Sequence, residues 1–429
     1  MTAISPTPSP TCCATSKHSA RAGRRNPAEP RRWTTVPPTD AARHVAICTA
    51  AAHSHISPLL GLVRELVRRG IRVSYVTTSP FAALVEAAGA DFVPLASTLP
   101  ADPADWPTDV RRLPLLYLAD ARSTLPALEA RFAHDQPGLL LTEDPAGAGR
   151  VLAAKLGIPA MQVWTYLAAR VHWSLADPES AGANPCAPEF LAGLDAFLTE
   201  AGLRTGAREH LGSALADGLV LIPRSFQPDG ERFGEEFVFT GPALAPSPAG
   251  APRWSPPPGA GPVALVTLGS IDHGHPEFFA CVAEAFDGLG WHVVMGVGDR
   301  VDLRALAPLP PHVEAHAWVP QTAVLEHASL VVHHGGMATT MESLHHGVPS
   351  LVVPRLPEQA GNARRVRELG LGAALPFRSL TPDALRRTVL GLHAHEGVHR
   401  RVRAMQEEIH RAGGRVAAAD AVEKRLTSG

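Results

Sequence analysis

Trp318 to Gln359 read W-V-P-Q-T-A-V-L-E-H-A-S-L-V-V-H-H-G-G-M-A-T-T-M-E-S-L-H-H-G-V-P-S-L-V-V-P-R-L-P-E-Q. An aromatic and an amide precede a short apolar run, Leu330 to Val332, that enters a His-Gly-Gly turn. Two threonines open the following helix, which carries Glu342; a second apolar run, Ser350 to Val353, ends in Pro-Glu-Gln. Polar groups thus fall at the carboxyl ends of buried strands, where open α/β sheets bind ligands.

The same grammar extends in both directions. His44 begins a buried run, H-V-A-I-C-T-A, and the loop A-A-H-S-H follows. Ser57-Pro58 then predicts a helix start, Ser as N-cap and Pro at the first helical position. Strands are expected at 71–78, Leu139–Leu141, Ala160–Val163, Leu219–Ile222 and Phe237–Thr240, with helices between them. Residues 243–262, A-L-A-P-S-P-A-G-A-P-R-W-S-P-P-P-G-A-G-P, mark a linker. Alternation resumes at Val263, with strands at Trp291–Met295, Val313–His316, Leu330–Val332 and Ser350–Val353. One long amphipathic helix, broken at Gly413-Gly414, is expected over Pro382–Arg425. Such alternation implies parallel sheets.

The expected organisation is a disordered tail over 1–42, a first Rossmann-like domain over 43–242, and the linker. A second Rossmann-like domain over 263–414 follows, then a helix end and tail over 415–429. Ligands are expected in the cleft between the two domains.

Bulk properties narrow the function classes. With 39 basic and 41 acidic residues, the net charge of −2 gives no electrostatic reason to expect nucleic acid or an anionic membrane. At 5% aromatics, a base-stacking nucleic-acid platform is not expected either. No apolar run approaches the ~18 residues that span a bilayer. The five cysteines, Cys12, Cys13, Cys48, Cys186 and Cys281, lack metal or disulfide-framework spacing, so a reduced, cytoplasmic protein is expected. The histidine pairs 53/55, 273/275, 333/334 and 345/346 find no completing Cys or carboxylate set, and adjacent histidines diverge on a helix or strand; no metal is expected. Gly296-Val-Gly-Asp reads as a turn more than a phosphate loop.

The chemistry of the opening segment suits a nucleotide sugar. A diphosphate needs backbone N–H donors at a helix N-terminus, which Gly336-Met337-Ala338-Thr339 supplies with little bulk. Thr339 and Thr340 hydroxyls and His334 would add donors. Glu342 would accept from ribose hydroxyls, Trp318 offers a flat face to a base, and Glu358 and Gln359 would read sugar hydroxyls.

Together W-x-P-Q, H-x-G, the phosphate turn, Glu, G-V-P and the acidic-Gln tip resemble the GT-B glycosyltransferases of the UDP-glycosyltransferase superfamily (glycosyltransferase family 1), and within it the bacterial macrolide and antibiotic glycosyltransferases. The resemblance runs from His44 to about Gly414. It implies an α/β, GT-B fold of two doubly wound parallel-sheet domains. It implies Trp318, Val319 and Gln321 at the nucleoside, His334, Gly336, Met337, Ala338 and Thr339 at the diphosphate, Glu342 at the ribose, and Glu358 with Gln359 at the sugar. Ser270, in T-L-G-S, matches a residue near the phosphates. Ala338 stands where the family often has Asn, so one side-chain contact to the donor is expected to be missing.

The resemblance also maps the G-H-x-x-P pattern of the family's catalytic base onto S-H-I-S-P, making His55 the base, with Ser54 for the usual Gly. A near-neutral pKa suits His to take a hydroxyl proton. His53 competes, and spacing decides against it. A carboxylate at the end of a later strand should orient the imidazole. Counting back without a gap from Arg150 selects Glu143; the shorter side chain favours Asp144.

The expected reaction is inverting hexosyl transfer, without cofactor or metal, from a nucleotide sugar, UDP-glucose first. The acceptor would be a lipophilic alcohol or phenol such as a macrolide or aromatic polyketide. Residues 96–120 and 164–191 should bind it, with Leu113, Leu115, Leu116, Tyr117, Tyr166 and Trp173 as apolar contacts. Alternatives are a dTDP-deoxysugar donor, an epimerase or hydrolase, or a non-catalytic nucleotide-sugar binder. A monomer or homodimer is expected.

Overall fold

The computed structural model describes residues 43–100, 105–107, 109, 112–143, 147–169, 188–214, 216–245, 254–269, 274–306 and 308–428. Seven parallel strands form one sheet: β1 (His44–Cys48), β2 (Arg72–Thr77), β3 (Asp91–Pro94), β4 (Leu139–Thr142), β5 (Ala160–Trp164), β6 (Gly218–Val220) and β7 (Phe237–Phe239). Six parallel strands form the other: β8 (Val263–Thr267), β9 (His292–Gly296), β10 (Val313–His316), β11 (Ala328–His333), β12 (Ser350–Val352) and β13 (Gly372–Ala374). The spatial orders are β3-β2-β1-β4-β5-β6-β7 and β10-β9-β8-β11-β12-β13. Each sheet is therefore doubly wound, with its order reversing between β1 and β4 and between β8 and β11.

Helices cover both faces of each sheet, which is why the strands read as continuous apolar runs: Val45, Ala46 and Ile47 in β1 and all five residues of β8 are buried. Val45 and Ile47 pack towards the helix Leu60–Arg68, while Ala46 packs towards the helix Leu113–Phe132. The period of two in β1 thus serves two helical layers rather than one core and one wet face.

Two expected helices differ from the structure. The helix after β1 begins at His53, four residues before Ser57. Ala52 is extended (φ −138°, ψ 147°), and its carbonyl accepts from His55 and Ile56 N–H groups at 3.0 and 3.1 Å. Ser57 has helical dihedrals and opens a single 3-10 turn, Ser57–Leu59, tightened around Pro58, which brings no N–H. Both His53 and His55 therefore ride on a first helical turn, fixed by backbone bonds.

The expected C-terminal helix is three: Pro382–Ala394, Glu396–Arg411 and Gly414–Thr427. The Thr381 hydroxyl caps the first, accepting from Ala384 N–H at 3.2 Å, and His395 Nδ1 caps the second through Gly397 N–H at 3.1 Å. Gly413 (φ 88°) and Gly414 (φ 51°) turn the chain, and Gly414 N–H donates to Thr240 at 2.8 Å. The last helix, expected as a helix end and tail beyond 414, returns to the N-terminal sheet. Ala418, Ala419, Val422 and Leu426 bury themselves beside Leu60, Val63 and Ile71. Arg69 binds Asp420 and Glu423, and Arg425 binds Asp217. No described helix is long and apolar enough to cross a membrane.

Candidate active site between the two sheets

A cavity of about 620 Å³ is lined from both sheets, by residues at the carboxyl ends of β1, β4 and β5 on one side and of β8, β9 and β11 on the other. Both topological reversals open onto it.

On the N-terminal wall, His55 Nδ1 lies 2.8 Å from Glu143 Oε2. A carboxylate only accepts, so in the neutral imidazole Nδ1 carries the proton and Nε2 keeps a lone pair. The Glu143 side chain is 4% exposed and His55 31%, so the pair is anchored in the protein with the imidazole towards the cavity. The Thr165 hydroxyl donates to Glu143 Oε1 at 2.5 Å, and the Gln162 amide donates to the Glu143 main-chain carbonyl. Each carboxylate oxygen thus has its own donor. Burial presses His55 towards neutrality, but the charge and hydrogen bond of Glu143, with the field of Glu358, outweigh it and raise the imidazole above its ordinary value. Tyr166 stands edge-on to the ring at 6.5 Å.

Of the two carboxylates that the sequence left open, Glu143 holds this position; Asp144, the one favoured for its shorter side chain, lies outside the described residues. Glu143 immediately follows β4, and its N–H donates to Cys48 at 3.3 Å, prolonging the pairing of β4 with β1. That bond carries Glu143 up to the turn holding His55, where the longer side chain reaches.

On the C-terminal wall the helix Met337–His345 starts after Gly336 (φ −60°, ψ 139°), with no side chain capping it. Gly336, Met337, Ala338 and Thr339 all line the cavity, so the N–H groups of the first turn face it. His334 lies alongside, and the space around its ring exists because two neighbours are glycines. A Cβ on Gly269 would come within 2.5 Å of the ring, and one on Gly336 likewise within 2.5 Å. His333 and His334 diverge at 89°. His333 is fully buried and accepts from Gly335 N–H at 3.2 Å, its pKa pushed down to about 3 by burial.

Gln321 donates to Glu342 and also approaches the Thr339 hydroxyl at 3.4 Å. Desolvation lifts the Glu342 carboxyl to about 7 against the pull of that amide. Trp318 is 62% exposed, with its ring 5.8 Å from that of His53. His53 lines the same cavity, and burial lowers its pKa. Val319 packs on the end of β9, where a Cβ on Gly296 would meet it at 3.2 Å. Glu358 is exposed on the cavity side, and desolvation there, with the charge of Glu143, raises its carboxyl against the pull of His55.

Three expectations need adjusting. The Thr340 hydroxyl is buried and donates to Gly336 at 2.9 Å, closing the helix rather than facing the cavity. Gln359 lines the cavity, but its amide oxygen accepts from Arg355 and Leu356 N–H groups at 2.9 and 3.1 Å, so only its NH₂ end remains for a ligand. Leu113 and Tyr117 line the cavity and Leu115 packs into the core behind it. Ser270 and Trp173 lie outside the described residues. The sequence missed Thr165, and it discounted the G296-V-G-D turn, whose Gly296 and Gly298 line the cavity. Among the described residues, no group of three or more His, Cys, Asp and Glu side chains is placed to hold a metal ion.

Residues 286–411 match a family model described as erythromycin biosynthesis protein CIII-like, C-terminal domain. The chain is 36% identical over 391 residues to the NDP-glycosyltransferase YjiC of Bacillus licheniformis, covering 90% of this chain and 98% of that one. It is 37% identical over 392 residues to the oleandomycin glycosyltransferase of Streptomyces antibioticus, covering 89% and 91%. Among solved structures, the calicheamicin glycosyltransferase CalG4 superposes with a TM-score of 0.80 at 38% identity, over 90% of this chain and 98% of that one.

Proposed function

This chain belongs to the GT-B glycosyltransferases that act on macrolides and other antibiotic natural products, and we propose a mechanism for it. The reading is an inverting hexosyl transfer from a nucleotide sugar, UDP-glucose first, to a hydroxyl of a lipophilic acceptor. One observation carries it: a histidine–carboxylate pair and an uncapped helix N-terminus line one cavity from opposite sheets.

The acceptor hydroxyl gives its proton to His55 Nε2 as its oxygen attacks the anomeric carbon. Glu143 stabilises the imidazolium through Nδ1, and Thr165 holds Glu143. The glycosidic bond to the diphosphate breaks on the opposite side of the sugar. Negative charge growing on that leaving group meets the N–H groups of Met337 to Thr339, with His334 beside them. Trp318 stacks the base and Glu342, oriented by Gln321, accepts from the ribose. Glu358 and the NH₂ of Gln359 address the sugar hydroxyls, a set suited to a fully hydroxylated hexose. With Ala338 in the first turn, the phosphates depend on backbone donors there.

The test incubates the protein with UDP-glucose or dTDP-glucose and a panel of lipophilic alcohols and phenols, with mass detection. The expected result is a glycoside and nucleoside diphosphate only when an acceptor is present, UDP-glucose being the better donor. Free glucose or an epimer formed without acceptor would overturn transfer in favour of a hydrolase or epimerase.

A further inference from the structure

Four carboxylates line the cavity: Asp120, Glu143, Glu342 and Glu358. No Lys or Arg is among its described lining residues. Three of the four already have work, Glu143 with His55 and the other two on the nucleotide-sugar wall. Asp120 stands apart from them, on the helix Leu113–Phe132. Tyr117, Asp120, Ala121, Thr124 and Leu128 recur at helical spacing and all line the cavity. Asp120 is thus the only charge on an otherwise apolar or neutral face, and Val76, Leu95 and Leu99 line the wall nearby. The neighbouring cation on this helix points elsewhere: Arg122 pairs with Glu200 and donates to the Gly193 carbonyl.

The hydrogen bonds of Asp120 are lopsided. The Ser97 hydroxyl at 2.9 Å, Thr98 N–H at 2.5 Å and the Thr98 hydroxyl at 3.0 Å all converge on Oδ1. Those three bonds fix the carboxylate, while no described donor reaches Oδ2. A carboxylate in an apolar cavity is costly unless its partners are supplied, and the surrounding field favours a cationic one. A protonated amine forms a charge-assisted bond, about twice as strong as a neutral one.

We propose that Asp120 is a specificity-determining residue whose free carboxylate oxygen binds a protonated amine on the acceptor, so that amine-bearing lipophilic acceptors are preferred to neutral ones of equal shape. The inference depends on the cavity being the acceptor site of the proposed transferase, and its test separates the two. Two naphthols serve as probes, one with a dimethylaminomethyl arm and one with an isobutyl arm of the same shape. Calorimetry measures their binding to the full-length protein without donor, and transfer from UDP-glucose then gives KM for each.

Wild-type protein should bind the amine on the order of 10- to 100-fold more tightly, the range for a bond to a charged group. Asp120→Asn keeps an oxygen for Ser97 and Thr98. It should abolish the preference while leaving the isobutyl probe within about twofold. Equal binding of both probes by wild type, or equal weakening of both by Asp120→Asn, would overturn the assignment and leave Asp120 as an anchor for residues 97–98. Tight, Asp120-dependent amine binding without any glycoside would uphold this site and reject the transferase reading instead.

Discussion

Replacing Glu143 by Gln removes one charge from the wall that holds His55 and changes little in shape. The carboxylate and imidazole are bonded at 2.8 Å, with charge centres about 4 Å apart. At an effective dielectric of about 20 that separation is worth about 4 kcal/mol, and the part-open imidazole lowers it to about 2–4 kcal/mol. The stabilisation acts on the imidazolium that forms in the transition state, so it should appear in kcat as a loss of about 30- to 1,000-fold. A Gln amide turned towards Nδ1 would also favour the tautomer with its proton on Nε2, deepening the loss. A second signature comes from pH. As the proposed base His55 must be unprotonated to act, and Glu143 raises its pKa, so wild-type activity should be lost as pH falls through a value above that of an ordinary histidine. In Glu143→Gln that acid limb should move to lower pH even as the rate drops. The assay is kcat against pH with saturating donor and acceptor, Asp144→Asn being measured alongside. Retention of more than a third of kcat by Glu143→Gln with an unmoved acid limb would refute the pairing, and collapse of Asp144→Asn instead would transfer the role.

Three further outcomes follow from the opposite wall. Glu342 titrates near 7, and its ionised form is the better acceptor for ribose hydroxyls, so UDP affinity measured by calorimetry should fall up to about tenfold between pH 8 and pH 6. Glu342→Gln should flatten that dependence. Trp318→Ala should raise the donor KM about 5- to 100-fold with kcat nearly unchanged, as expected of lost base stacking, and Trp318→Phe should recover much of it. Gly335→Ala would place a Cβ 2.8 Å from Val352 and 2.9 Å from the Gln359 carbonyl at φ 94°. It should cost about 2 kcal/mol or more in urea unfolding, against about 1 kcal/mol for Gly157→Ala, whose left-handed site is open.

The two sheets were legible because parallel strands buried on both faces leave unbroken apolar runs, and β1, β8 and β11 carry theirs plainly. What the sequence misplaced were boundaries set by backbone bonds. Ser57-Pro58 carries a helix-start signature, yet the Ala52 carbonyl nucleates the turn four residues earlier. The return of Gly414–Thr427 to the first sheet depends on contacts with Arg69 and Asp217, more than 200 residues away in sequence, which periodicity cannot express. The C-terminal wall was readable as a local motif, since a turn, a helix start and a strand tip lie within about 40 consecutive residues. The N-terminal wall was only half readable. His55 stands in a local pattern, but the carboxylate that meets it depends on where β4 stops, and Thr165 and Asp120 enter through tertiary contacts alone.

In the proposed transfer, a base on the N-terminal sheet activates the acceptor against a donor held by the C-terminal sheet. Its most direct test measures His55→Ala twice, for glucosyl transfer from UDP-glucose by product chromatography and for UDP binding by calorimetry. Transfer should be reduced by at least about 1,000-fold, with the UDP dissociation constant within about threefold of wild type. Transfer at the wild-type rate would contradict that role of His55.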